Sequence, residues 1–192
     1  DTALRLLAAL GLVVANAGFV AAEFALVAVD RARVDDRAGQ GSARAAQVQR
    51  LLGRLSYHLS GAQLGITFTS LALGALAEPA IAKVIEPYLG DMFGDSSAGV
   101  SIAIALVVAA VVQMVFGELV PKSIATTKPL ETSFALARPT AVYGVLARPL
   151  VALLDGMANR LTRTVGVEPA EELEATPDRD ELEHLIRSSG EE

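Results

Sequence analysis

The run Gly117-Glu118-Leu119-Val120-Pro121-Lys122 carries the clearest chemistry in this chain. It closes an apolar stretch over residues 100–116 with a carboxylate, a helix breaker and a cation in close succession. Pro121 has no N–H and its ring clashes with the carbonyl four residues earlier, which belongs to Gly117. A helix drawn through this point leaves the Gly117 oxygen without its usual donor, beside Glu118 and inside what reads as bilayer. Freed carbonyls and intramembrane carboxylates are costly unless they line a polar cavity or hold an ion. A bare main-chain oxygen next to an acid makes half of a cation site.

The other half must come from oxygen-bearing side chains on neighbouring helices. On a second apolar segment, Ser60, Gln63, Thr67, Ser70 and Glu78 fall at offsets of 0, 3, 7, 10 and 18, all within one face of a 3.6-residue helix. Gly74 shares that face and leaves room for a neighbour. A single hydroxyl in a membrane helix commonly bonds its own backbone or an adjacent helix, whereas the aligned stripe points to a protein interior or to water. On a first segment, Asn16 and Glu23 lie seven residues apart and share a face. Glu23 reads as a ligand, a proton carrier or a protonated packing group, and near the cytoplasmic end a snorkelling structural role weighs about as much as a functional one. Gln113 joins Gly117 and Glu118 on the third segment. Small-residue ridges at Ala17, Ala21, Ala25 and Ala28, and at Gly61 and Gly65, allow close helix contact. An oxygen-only set suits a hard cation such as Mg²⁺, Ca²⁺ or Na⁺, and ligand type alone does not choose among them. If the third helix instead ends at the interface, Glu118 is merely wet and Lys122 meets lipid phosphates.

Composition supports a membrane setting for these residues. The 192-residue chain is 52% hydrophobic with a mean hydropathy of +0.44. With 5% aromatic residues, that apolarity comes from Ala, Leu and Val. No cysteine is present and the two histidines, His58 and His184, lie far apart, which excludes thiolate sites and argues against a soft-metal site. Basic residues are scattered without an aromatic platform, so nucleic acid is not an expected partner. No nucleophile–base pair or phosphate-cradling loop is present, and Gly39-Gln40-Gly41-Ser42 lacks the lysine and strand such a loop requires. The chain is not expected to be an enzyme.

Three apolar stretches, about residues 6–29, 59–81 and 100–120, approach the roughly 20 residues a spanning helix needs. The first is too long and too polar at its centre for a signal peptide. Arg31, Arg33, Arg37, Arg44, Arg50 and Arg54 follow the first span; Lys122, Lys128, Arg138, Arg148, Arg160 and Arg163 follow the third. The loop between the second and third is mixed, with Lys83 against Glu86, Asp91 and Asp95. The basic loops belong on the cytoplasmic side, placing the N-terminus outside and the C-terminal part inside. Pro139, Arg148-Pro149 and Asp155 divide residues 130–165 into pieces shorter than a span. These are expected to be juxtamembrane helices at the cytoplasmic interface, with a fourth span as the alternative.

Residues 168–192 hold ten acids and two arginines, a net −8 against −6 for the whole chain. Within them Thr176-Pro177 starts a helix with acids near its positive end, and Leu182, Leu185 and Ile186 form an apolar stripe. The expected fold is thus an all-α membrane protein: a transmembrane domain over residues 1–165, then the start of a cytosolic acidic helical region over 166–192. The chain is expected to be the membrane domain of a longer protein.

Gly117-Glu118-Leu119-Val120-Pro121-Lys122-Ser123-Ile124-Ala125, together with Asn16-Ala17-Gly18-Phe19-Val20-Ala21-Ala22-Glu23-Phe24-Ala25-Leu26-Val27, resembles the transmembrane domain of the CorC / cyclin M family. Gln63-Leu64-Gly65 and Glu181-Leu182-Glu183-His184-Leu185-Ile186-Arg187-Ser188-Ser189-Gly190 add to the likeness, which covers nearly the whole chain. Some bacterial members are labelled hemolysin-like. The resemblance implies a homodimeric Mg²⁺ transporter of the cell membrane that couples Mg²⁺ export to Na⁺ entry. It also implies three spans, a belt of juxtamembrane helices and an acidic helical bundle. A nucleotide-binding CBS pair, the expected ATP site, would follow outside this sequence. By position, the Gly117 carbonyl, Glu118, Asn16 and Ser70 match the family's ion ligands. Val20 and Ile66 depart, being aliphatic where many members carry Ser or Asn, and the aligned Gln63 and Thr67 are the residues positioned to compensate. The rival expectation is a non-transporting membrane dimer that senses or regulates ion transport through its soluble domains.

Overall fold

Two polar residues set the first turns of the chain after its opening helix. Asp30 accepts hydrogen bonds from the Ala32 and Arg33 amides at 3.0 and 3.4 Å, and Ser42 accepts from Ala45 at 3.3 Å. Each is an N-cap that satisfies amides with no intrahelical partner. Between them Gly41 takes φ +88°, a conformation that side chains with a Cβ resist. The Gln40-Gly41 stretch is therefore a turn between two short helices. Asp30→Ala is expected to lower the stability of this hairpin by about 1 kcal/mol, read as a small fall in the thermal midpoint of the detergent-solubilised protein. Loss of the exposed Arg33–Asp30 ion pair, 3.7 Å long, adds little.

The computed structural model describes residues 2–164. Among them, α1 (Thr2–Ala28) is followed by the capped pair α2 (Arg31–Gly39) and α3 (Ala43–Leu52). The long α4 (Leu55–Phe93) leads through a 3₁₀ turn (Gly94–Ser96) into α5 (Ser97–Val112). A π-helical segment (Gln113–Leu119) then passes into α6 (Val120–Thr127), and α7 (Pro129–Thr164) follows. No strand occurs among the described residues, so the all-α expectation holds there. The acidic region over 166–192 lies outside them.

Among the described residues, four helices are long and apolar enough to cross a membrane: Thr2–Ala28, Leu55–Leu89, Ser97–Thr127 and Pro129–Thr164. By length and composition this differs from the expectation of three and agrees with the alternative of a fourth spanning segment over residues 130–165. In place of short juxtamembrane helices over residues 130–165, α7 runs unbroken for 36 residues through Pro139 and Pro149. A proline inside a helix costs about 3 kcal/mol, but it does not stop a helix whose flanks are held by packing. Ala137, Ala147 and Val151 are buried on either side of the two prolines.

α1 is the hub, packing against α4, the π segment, α6 and α7, while α5 packs on α4. Small side chains make the seams. Ala21 and Ala25 meet Ala125, while Ala9 and Val13 meet Leu73, Ala77 and Ala109. Under the α2–α3 pair, Val34, Val48 and Leu51 pack on Leu26 and Ala137. Large apolar side chains such as Leu7, Val14, Phe68, Leu71 and Val107 are exposed. An apolar coat of that extent is costly in water and neutral in lipid.

Candidate cation site

Pro121 cannot donate to the Gly117 carbonyl, and the structure shows what replaces the missing donor. The Asn16 side-chain amide, on a residue of 0% exposure, donates to the Gly117 oxygen at 3.0 Å. The backbone around it is π-helical, with the Val120 amide bonded to the Val115 carbonyl five residues back. Short π segments recur at functional sites because the wider turn redirects carbonyls and side chains. Here the segment spans Gln113 to Leu119 and brings buried Gly117 against α1.

Asn16 is also the centre of a wider network. Because a carbonyl only accepts, Asn16 must turn its NH₂ to Gly117 and its Oδ1 the other way. That oxygen accepts from Thr69 at 2.7 Å and from Ser70 at 3.3 Å. Gln113 donates through Nε2 to the Ser70 hydroxyl at 3.1 Å, which leaves its Oε1 buried without a hydrogen-bond partner among the described residues. The Thr69 hydroxyl has one proton and three acceptors in reach, the others being the Gly65 and Ile66 carbonyls at 2.8 and 3.1 Å. When that proton turns to its own helix, the Thr69 oxygen offers lone pairs to the cluster.

Asn16, Gly117 and Ser70 are thus brought together. Thr67 and Gln63 are exposed, and the Thr67 hydroxyl bonds back to the Gln63 carbonyl at 2.9 Å. Glu118 is exposed on the helix and Glu78 is half-buried, neither with a hydrogen bond or ion pair among the described residues. Pro121 is buried at the start of α6. Lys122 lies over the Phe24 ring, 4.4 Å from its centroid, and interacts electrostatically with half-buried Glu23. Val20 is buried at 4% exposure, one turn from Asn16, and Ile66 is half-buried.

Two members of the network carry more than their sequence positions suggest. Thr69, at 5% exposure, sits one residue off the Ser60–Ser70 stripe and looks like an ordinary membrane-helix hydroxyl. Gln113 reads as one polar residue on an apolar helix, and only its spacing of four from Gly117 hints at a shared face.

Five oxygens, from Asn16, Thr69, Ser70, Gln113 and the Gly117 main chain, therefore cluster between three helices. All belong to uncharged groups. No group of three or more His, Cys, Asp or Glu residues able to hold a metal occurs among the described residues. The set offers hard-cation ligands without a buried charge.

Comparison with known proteins gives matches along nearly the whole chain. The family described as the cyclin M transmembrane N-terminal domain matches residues 7–192. The chain is 42% identical over 194 residues to the UPF0053 protein MT1890 of Mycobacterium tuberculosis (strain CDC 1551 / Oshkosh), covering 98% of this chain and 42% of that protein. It is 40% identical over 189 residues to the uncharacterized protein Rv1841c of Mycobacterium tuberculosis (strain ATCC 25618 / H37Rv), covering 98% and 54% respectively. To the UPF0053 protein YhdT of Bacillus subtilis (strain 168) it is 36% identical over 180 residues, covering 93% and 39%. The chain spans from about two fifths to just over half the length of these relatives.

Proposed function

This chain belongs to the family of cyclin M transmembrane domains, and on that premise we propose that it carries a divalent cation, most readily Mg²⁺, across the cell membrane. The observation that supports this reading is the buried oxygen cluster with its unpartnered Gln113 Oε1. A buried acceptor without a donor costs about 1–3 kcal/mol, and a cation removes that cost while using the same oxygens. The cation is cargo here. Asn16, Ser70, Thr69, Gln113 and the Gly117 carbonyl bind it, and Glu118 supplies the charge that the cluster lacks.

The π segment offers a way to bring Glu118 in. A shift by one residue between π and α register turns the following residues by about 100°, which moves Glu118 toward the place that Gly117 occupies. Export of Mg²⁺ coupled to Na⁺ entry, a homodimer, an outside N-terminus and ATP binding at a CBS pair elsewhere in the full protein complete the reading.

The test is Mg²⁺ flux in liposomes, comparing the wild-type chain with Gln113→Met and Glu118→Gln. Each variant is expected to lose about tenfold or more, because a polar contact to a charged group contributes roughly 1.5–3 kcal/mol. Flux equal in all three rejects this site as the ion path, and flux no greater than in empty vesicles rejects transport. One feature favours the regulator instead: Glu118 is exposed while the cluster is nearly self-satisfied. Calorimetry that finds no Mg²⁺, Ca²⁺ or Na⁺ binding at millimolar concentration selects that reading.

A further inference from the structure

A second site lies on the other side of α1, where α1, α4 and α7 leave a cavity of about 280 Å³. Its walls include Gly18, Phe19, Tyr57, His58, Thr140 and Tyr143, with apolar atoms making up most of the surface, and none of the cation-site residues. Tyr57 donates its hydroxyl to the Gly144 carbonyl at 2.6 Å, so its ring presents an apolar wall. Phe19 packs against Tyr143 with ring centroids 4.6 Å apart. Gly18 leaves part of this space open. A Cβ added at Gly18 would meet nothing within 4 Å.

Water gains little in such a space, since a buried water needs about 2–4 polar partners. An empty cavity forfeits dispersion contacts along every wall, and an apolar cavity of roughly 150 Å³ already admits a benzene-sized guest. The cavity is open at exposed Ala15 and Pro139, and its walls are helices long and apolar enough to cross a membrane. The abundant apolar occupant there is a lipid tail.

Charge beside the walls says which lipid. Arg138 directly precedes wall residue Pro139. Arg54 lies one turn before the wall residues of α4, its carbonyl accepting from the His58 amide at 3.1 Å. Both arginines are exposed and neither is paired with a carboxylate among the described residues. We propose that the α1–α4–α7 cavity binds one acyl chain of an anionic phospholipid whose headgroup is held by Arg54 and Arg138.

The test is native mass spectrometry of the full chain released from vesicles of phosphatidylglycerol and phosphatidylcholine. The wild type is expected to retain one phosphatidylglycerol per chain, preferred roughly 25-fold, because each arginine near an anionic headgroup contributes about fivefold. Gly18→Leu, which fills the cavity and removes a helix glycine, is expected to lose both lipids with its thermal midpoint unchanged or raised. The double variant Arg54→Gln/Arg138→Gln is expected to lose the preference and keep the tail. No lipid retained by the wild type, or wild-type retention in folded Gly18→Leu, overturns the proposal. If Gly18→Leu fails to fold, an undiminished preference in the arginine variant overturns it instead. Ready disulfide formation by Ala15→Cys, in a chain with no other cysteine, also overturns it, because a second copy then covers the mouth.

Discussion

Asn16→Ala is expected to abolish Mg²⁺ flux and to lower the thermal midpoint of the detergent-solubilised chain, the largest combined effect of any single truncation at the cluster. Asn16 is fully buried and joins three segments: it donates to Gly117 and accepts from Thr69 and Ser70. Thr69 can turn its proton to Gly65 or Ile66, so its loss is small. The Gly117 carbonyl loses its α-helical donor to Pro121, so it depends on the Asn16 amide. Leaving that oxygen bare costs about 1–3 kcal/mol, and the vacated space adds to it. Asn16→Asp separates binding from packing. It keeps an acceptor for both hydroxyls but sets a carboxylate against the Gly117 oxygen, so it should be destabilised in chelator and restored by millimolar Mg²⁺. Wild-type flux and midpoint in Asn16→Ala would remove the cluster from the mechanism, and Mg²⁺-independent behaviour of Asn16→Asp would remove the cation.

The elements of this site were legible in the sequence to different depths, for physical reasons. Asn16 and Gly117 stand out singly, as a buried-type amide in an apolar helix and as the carbonyl upstream of a proline. Their mutual bond spans 101 residues, and no periodicity encodes which helix faces which. Ser70 belongs to an aligned stripe, yet the stripe is wider than the contact. Gln63 lies close to Ser70 on the stripe and Thr67 farther round it, and both are exposed, while Thr69 lies about 100° beyond Ser70 on the other side and is buried. Helical pattern fixes a face to within about one residue, roughly 100°, which is the distance between Thr69 and Ser70. The π segment hides for a similar reason, since Pro121 announces a lost hydrogen bond but not how the preceding turns absorb it.

The long helices illustrate the opposite limit. Apolar length is additive along the sequence, so α1, α4 and the run from α5 to α6 are visible from composition alone. In α7 the prolines are equally visible, and the local rule that they break helices is outweighed by burial at Ala137, Ala147 and Val151. Local cost is readable from sequence, whereas the packing that offsets it belongs to residues far away.

Gly117→Ala is expected to eliminate cation binding while leaving the helices assembled, and it tests the geometry of the cluster without altering its ligand chemistry. A Cβ on Gly117 would stand 2.9 Å from Gln113 Oε1, 3.0 Å from its Cδ and 3.1 Å from Asn16 Nδ2. Real Cβ atoms do not tolerate the first of these contacts, so Gln113 must swing away or α1 must retreat. Either movement separates the unpartnered oxygen from the amide that anchors Gly117. Alanine also favours regular α-helix over glycine by about 1 kcal/mol, so the variant should gain local helix stability as it loses the site. That opposition is diagnostic. Flux is expected to fall by about tenfold or more, as for loss of any ligand contact to a charged group. The midpoint should move by less than in Asn16→Ala, because a swing of Gln113 lets Asn16 keep its bond to the Gly117 carbonyl. Gln113→Ala in the same background should relieve the crowding and return the midpoint without returning the flux, since the swing space is regained but the oxygen is gone. Flux in Gly117→Ala equal to wild type would mean that the ion path does not pass between Asn16 and Gln113.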